Sequence, residues 1–195
     1  MYQSSFILVI VSVVGLVLCA CTSIPNNDLP DLTFKHLKPI SLGVVKIELT
    51  SLTNSEKDPA TLSHRFPISP HSALKKWALH RLQFAGNTGT ARFIIIKANV
   101  TETRLNRDKT ITGLFKQEAS ERYDASVEAR LEILDEHGTL LAAANSIASW
   151  SQTVREDTSL TERRRVWFSM IEKLMARFND KMEEEIYRYL KRFIV

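Results

Sequence analysis

The side chains able to do chemistry are scattered along this chain. Five histidines, His36, His64, His71, His80 and His137, are spread over 195 residues. None has a second ligand-type residue at a metal spacing such as His-x-x-x-His, so they read as solvated or capping side chains rather than ligands. The six glycines form no phosphate-cradling loop, and no Gly-x-Ser-x-Gly turn presents a nucleophile. Asp124, Glu128 and Glu132 would share one face of a strand, but Arg122 and Arg130 share it too. A salt-bridged solvent face is favoured there over an acid–base pair. No catalytic residue, cofactor or metal site is expected. What remains is thiol chemistry: the chain has two cysteines, Cys19 and Cys21, and both stand at the end of an apolar run.

That run, Phe6 to Leu18, is broken only by Ser12 and Gly15. It fits the apolar middle of a secretory signal and is shorter than the ~20 residues a membrane-spanning helix needs. Leu18-Cys19-Ala20-Cys21 resembles a bacterial lipobox. The resemblance implies removal of residues 1–20 as a signal peptide. It makes Cys21 the first mature residue and the bearer of a fatty-acyl, palmitate-type anchor. Thr22, in place of an aspartate, resembles the residue that sorts many such proteins to the outer membrane. One feature departs from the pattern: Met1 to Ser5 has no Lys or Arg. A plain transmembrane anchor, or a chain start placed too late, is the alternative reading.

The formal charge is +4, and residues 1–20 contribute no charged side chain to it. Removing those 20 from 195 leaves 175 residues, enough for one domain with a substantial core. A pI near 9.1 would allow nucleic-acid binding in a cytoplasmic protein. In an exported one it points to anionic lipid head groups or acidic protein surfaces, and no nucleic-acid partner is expected. With both cysteines in the signal region, no disulfide is available to the mature domain.

The elements can be read from periodicity. Residues 21–40 read as a lipidated tether punctuated by Pro25, Pro30 and Pro39, with a reach of at most ~60 Å for its 18 residues from Thr22 to Pro39. A single domain then spans 41–195. Leu42 to Thr50 alternates Val45, Ile47 and Leu49 against Lys46 and Glu48, the pattern of a half-buried strand. Ser69 and Pro70 open a helix with Leu74, Trp77, Ala78, Leu82 and Ala85 on one face, ended by Gly86-Asn87. A second strand, Ala91 to Arg104, places Ile94, Ile96, Ala98 and Val100 on one side. A third alternates Tyr123, Ala125, Val127, Ala129, Leu131 and Ile133 with charged or polar neighbours. Asp135-Glu136-His137-Gly138 turns it into a fourth strand, Thr139 to Gln152, whose Ala-rich inward face is ambiguous. Ser159 and Glu162 cap a long final helix that carries Trp167, Met170, Ile171, Leu174, Phe178, Met182, Ile186, Leu190 and Phe193. The fold class is α+β: a two-layer sandwich in β-α-β-β-β-α order, its four-stranded sheet covered on one face by two helices.

Three features stand above this background. The connection 105–120 is too long for a hairpin loop and carries Arg104, Arg107, Lys109 and Lys116 around Ile111, Gly113, Leu114 and Phe115. It is either a partner contact, with Arg107, Leu114, Phe115 and Lys116 as its contact residues, or a satellite core. Arg163-Arg164-Arg165 sits at the helix end where positive charge is disfavoured; a solvated charge cluster is favoured over an anion site. A helix of about 34 residues, roughly 50 Å, overruns a strand of roughly 27 Å. Its apolar end, Ile186 to Ile194, is either core or a docking surface.

The lipobox at Cys21, the Tyr123–Ile133 strand, the Gly138 hairpin and the terminal amphipathic helix together resemble small envelope lipoproteins that assist lipid-transport machines. These include the PqiC-like auxiliary lipoproteins of ABC-type transporters and the LptE-like lipopolysaccharide-assembly group. The N-terminal domain of TolB is similar in outline. The resemblance implies a non-enzymatic accessory on the periplasmic face of the outer membrane. Such a protein would bind an envelope protein partner of a transport or assembly complex, with lipid or lipopolysaccharide as a further ligand. A structural or cell-wall-associated lipoprotein is the alternative. An envelope hydrolase is disfavoured by the missing nucleophile–base pair.

Overall fold

The computed structural model describes residues 29–53, 62–105 and 119–195. The strictest alternation in the sequence becomes the middle of the sheet. In strand β5 (Ala119–Leu134), Tyr123, Ala125, Val127, Ala129, Leu131 and Ile133 are all buried. β5 runs antiparallel to β4 (Thr90–Arg104) on one side and β6 (Leu140–Arg155) on the other. β2 (Lys46–Ser51) completes the sheet, parallel to β4, in the order β2-β4-β5-β6. A parallel pair needs a crossover, and helix α1 (Pro70–Arg81) supplies it. Helix α2 (Leu160–Tyr189) lies on the same face, for Trp77 of α1 packs edge-on against Phe178 of α2 at 5.3 Å and beside Phe93 of β4 at 5.5 Å. The fold is thus α+β, with both helices on one face of a mixed four-stranded sheet. A second, two-stranded parallel sheet is added, β1 (Ile40–Leu42) with β3 (Leu82–Phe84).

Local departures from the periodic reading have identifiable causes. In β4 the buried residues are Ala91, Phe93 and Ile95, then Ala98 and Val100. A bulge between Ile95 and Lys97 changes the phase, so Ile94 and Ile96 leave the face that Ala98 and Val100 occupy. α1 stops at Arg81, short of Gly86, because Leu82–Phe84 pairs with β1 instead of continuing the helix. Gly86 serves a different need: a Cβ there would lie 2.3 Å from the Gly43 backbone, so only glycine lets the two chains pass. On β2, Ile47 and Leu49 oppose core residues of β4, yet Leu49 is exposed, since an edge strand is incompletely covered. The ambiguous strand β6 turns its even-numbered residues inward. Ala144, Ser146 and Ala148 are buried, and the Ser146 hydroxyl donates to the Phe178 carbonyl at 3.4 Å, so small side chains let α2 lie close.

The chain before β1 is part of the domain as far back as Leu29. Residues 29–39 form a strap along α1, with Leu32 and Phe34 in the core, whereas composition alone reads this stretch as tether. The first part of the expected link, 21–28, lies outside the described residues. At the other terminus, Leu190 is buried and a 3-10 turn, Lys191–Phe193, leads Ile194 into a bridge with Leu42. The end of α2 and the residues after it are therefore tied to β1. Ile186 and Leu190 are core, and Tyr187 and Tyr189 face outward.

Candidate functional site

Both helices begin at the same end of the domain. The Ser69 hydroxyl caps α1 by accepting the Ser72 amide at 3.1 Å, and the Ser159 hydroxyl caps α2 by accepting the Glu162 amide at 3.2 Å. Both caps are the expected ones. The arginine triplet follows one turn into α2 and divides. Arg163 bonds the Glu121 carboxylate and reaches the Tyr123 hydroxyl at 3.1 Å. Arg165 pairs with Glu162 at 3.3 Å. Arg164 instead lines a cleft of about 490 Å³.

The wall behind this triplet is aromatic. Phe66 stacks on Trp167 at 4.9 Å, and Tyr123 stands edge-on to both. The Tyr123 hydroxyl donates to Glu121 at 2.7 Å. Burial, reinforced by the nearby Glu102 carboxylate, pushes it up to about 12. It is a structural donor and not a base at neutral pH.

The cleft lies between the start of the strap, the loop into α1 and the first turns of α2. Pro30, Pro67, Ile68 and Phe168 give it apolar walls, and Lys76 and Arg164 are its cations. Asp31 of the strap forms an ion pair with Lys76, and that bond holds its carboxyl below the usual range. Further along, the Phe34 amide donates to His80 Nδ1 at 3.2 Å. Burial, with Lys35 and Lys76 nearby, lowers the pKa of His80 and keeps the ring neutral.

The strap ends on a buried polar network. Arg81, 2% exposed, donates to the Lys38 carbonyl, to Asn179 Oδ1 at 3.1 Å and to Glu183 at 2.5 Å. Trp77 Nε1 donates to the same Asn179 oxygen at 2.9 Å. Neither Arg81 nor Asn179 stands out in the sequence. Each looks like one more polar residue on an amphipathic helix, and their meeting joins positions 98 apart. A second cavity, about 380 Å³, sits at the opposite end between Gly43, Gly89, the β5–β6 turn and Phe193.

The carboxylates of the outer sheet face are engaged as a charged surface. Asp124 pairs with Arg122 at 3.0 Å and accepts from Ser151, Glu132 pairs with Arg130 at 2.9 Å, and Glu128 stands opposite Lys97. His71 Nε2 lies 3.1 Å from the Ser51 hydroxyl. Among the described residues, no group of three His, Cys, Asp or Glu is placed to hold a metal ion, and no helix is long and apolar enough to cross a membrane. Cys21 and the contact residues Arg107, Leu114, Phe115 and Lys116 lie outside the described residues. The described flanks of that connection are at the capped end, since Arg104 stands opposite Glu121, the partner of Arg163.

No family model matches the chain, and no curated protein matches it. Among solved structures, the chain is similar to rare lipoprotein B from Shewanella oneidensis, at 11% identity and a TM-score of 0.36 over 71% of this chain and 92% of that one. It is similar to an uncharacterized lipoprotein B from Nitrosomonas europaea, at 12% identity and a TM-score of 0.40 over 83% and 92%. A neuraminyllactose-binding hemagglutinin homolog from Helicobacter pylori is similar at 9% identity and a TM-score of 0.34, over 80% and 92%.

Proposed function

We propose that this protein is an envelope lipoprotein, acylated on Cys21 and held on the periplasmic face of the outer membrane. In this reading it is a non-enzymatic accessory of a lipid or lipopolysaccharide transport or assembly system. The observation that carries the reading is the sequence Leu18-Cys19-Ala20-Cys21 at the end of an apolar run too short to span a bilayer. Two further observations support it. Among the described residues, His80 serves the strap, and Asp124 and Glu132 sit in ion pairs of the outer sheet face, so these groups have structural tasks. The connection holding Arg107, Leu114, Phe115 and Lys116 is longer than a hairpin requires and joins apolar to basic side chains, the composition of a contact with a protein partner.

Metabolic labelling with palmitate tests the anchor. The wild-type chain should take label and fractionate with the outer membrane, and Cys21→Ala should lose both label and cleavage after Ala20. Unchanged labelling of Cys21→Ala sinks the reading. For the accessory role, a strain depleted of the protein should lose envelope barrier function. The wild-type gene should restore it, and neither Cys21→Ala nor the double change Leu114→Ser with Phe115→Ser should do so. Rescue by the double variant would remove the loop from the contact surface and leave the anchor standing.

A further inference from the structure

The strap shortens the reach of the anchor. Since residues 29–39 lie along α1, the link from Cys21 to the domain is the eight Cα steps to Leu29. Fully extended, it spans at most roughly 28 Å, about half the reach of a tether running to position 39. The end of the domain where Leu29 emerges is therefore the end that an acylated Cys21 keeps beside the bilayer.

The cleft at that end is cationic, for Asp31 is the single carboxylate among its lining residues, against Lys76 and Arg164, while beside it Asp157 and Glu162 are paired with Arg155 and Arg165. The division of the arginine triplet is informative here. Arg163 and Arg165 face glutamates, but Arg164 turns to the cleft within the first turns of α2, where the helix dipole opposes a cation. One turn earlier on the same helical face stands Leu160, 71% exposed. A cationic cleft one helical turn from an exposed aliphatic side chain, within a short link of an acyl anchor, matches the chemistry of an anionic lipid surface. The phosphates attract the cations, and the leucine enters the interface.

We infer that the end of the domain bearing Leu29, Lys76, Leu160 and Arg164 is a membrane-docking face that seats anionic phospholipid headgroups, an orientation that rests on acylation of Cys21. The acylated full-length protein, reconstituted into vesicles, tests it. One set is phosphatidylcholine alone; the other contains about a third phosphatidylglycerol. A fluorophore at Leu160→Cys or, at the far turn, Glu136→Cys reads proximity through quenching by nitroxide-labelled headgroups, while flotation reads the anchor. The Leu160 probe should be quenched on phosphatidylglycerol vesicles and released by salt, and the Glu136 probe should stay unquenched. Arg164→Glu should shift the docking equilibrium at least about fivefold toward release, the worth of one cation at an anionic surface. Lys191→Glu, at the other end of α2, should leave it unchanged. Flotation with equal quenching at both probes, or docking insensitive to Arg164→Glu, overturns the orientation and leaves the anchor intact. Failure to float on either vesicle removes the anchor and the orientation with it.

Discussion

The two sides of the sheet's buried face are assembled by different physics. On the side of β5, β6 and α2, one period after another does the work. β5 buries every second residue from Tyr123 to Ile133, and α2 buries Trp167, Met170, Ile171, Leu174, Met175, Phe178, Met182 and Ile186 at three- and four-residue steps. On the side of the strap, β1, β2 and α1, apolar side chains such as Phe34, Leu42, Leu74 and Trp77 are buried too, but they come from short, separate segments. Leu79, Phe84, Val45 and Leu49 are exposed there, and single polar contacts hold the pieces: Asp31 with Lys76, Phe34 with His80, and Arg81 with Lys38, Asn179 and Glu183. Area-proportional burial tolerates small errors of position, whereas a buried hydrogen bond left unmade costs its full desolvation. The first side should therefore fail gradually and globally, the second abruptly and locally.

The largest effect should come from the periodic side. Leu131→Ala should lower the unfolding free energy by about 2–5 kcal/mol, since the site is fully buried between two neighbouring strands. Chemical denaturation should show one cooperative transition displaced to lower denaturant. A change below about 1 kcal/mol would mean that the β5 face is not core.

Arg81→Met should come next, at about 1–3 kcal/mol, because it strands the Lys38 carbonyl and leaves the Asn179 oxygen with Trp77 Nε1 as its one donor; Glu183, 39% exposed, can turn to water. Arg81→Lys should recover little, as one ammonium cannot reach three acceptors in different directions. Full recovery by lysine would show that charge rather than the guanidinium fork matters at this junction.

His80 gives the strap side a pH response in the window just below 6.5. Its folded-state pKa lies below the unfolded value near 6.5, so the neutral ring belongs to the folded form. The stabilisation is complete above 6.5 and is lost as the pH falls from 6.5 through the folded value, where protonation of Nδ1 removes the acceptor for the Phe34 amide. Hydrogen exchange at Phe34 should accelerate over that window while amides of β5 hold their protection. His80→Phe should abolish the difference. Equal acceleration in both regions would make the two sides one cooperative unit.

The smallest effect belongs to the outer sheet face. Glu132→Ala breaks an ion pair with the part-exposed Arg130 and should cost under about 1 kcal/mol. A loss matching that of Leu131→Ala would invert the assignment of faces.

The same division separates what could be read early from what could not. β5, its turn at Gly138 and both helix caps follow from nearest neighbours and short periods, which act within the element itself. The length of α2 does not, for the helix ends at Tyr189 after 30 residues, short of the expected length of about 34, where the chain turns toward β1. The edge of β6 shows where such reading stops. Arg177, Lys181 and Arg192 donate to the carbonyls of Ser149, Ile147 and Leu141, and Arg177 also lies 4.3 Å over the Trp150 ring. By sequence these are ordinary solvated helix cations. In the fold they cover an exposed strand edge that would otherwise pair with another chain. The bulge at Ile95 to Lys97 was equally hidden, since a phase change leaves both halves of β4 well formed and the alternation intact on paper.

For the candidate site the balance is similar. Residue type and spacing were enough to single out Cys21, the loop residues Arg107, Leu114, Phe115 and Lys116, and the arginine triplet, because apolar runs, long connections and misplaced charge are visible one residue at a time. Which of the three arginines is paired could not be read, since Glu121 lies 42 positions from Arg163 and reaches it only through the β5–α2 packing. The sequence by itself determined the α+β class, the central strand, the helix starts and the chemistry open to the N-terminus, all set by local periodicity and covalent identity. Tertiary structure alone decided that Leu29 to Pro39 belongs to the domain, that Arg81 and Asn179 tie its two sides together, and that Arg164 shares a cleft with Lys76. Those are contacts between residues far apart in the chain, and their energies exist only once packing has brought the partners together and excluded water.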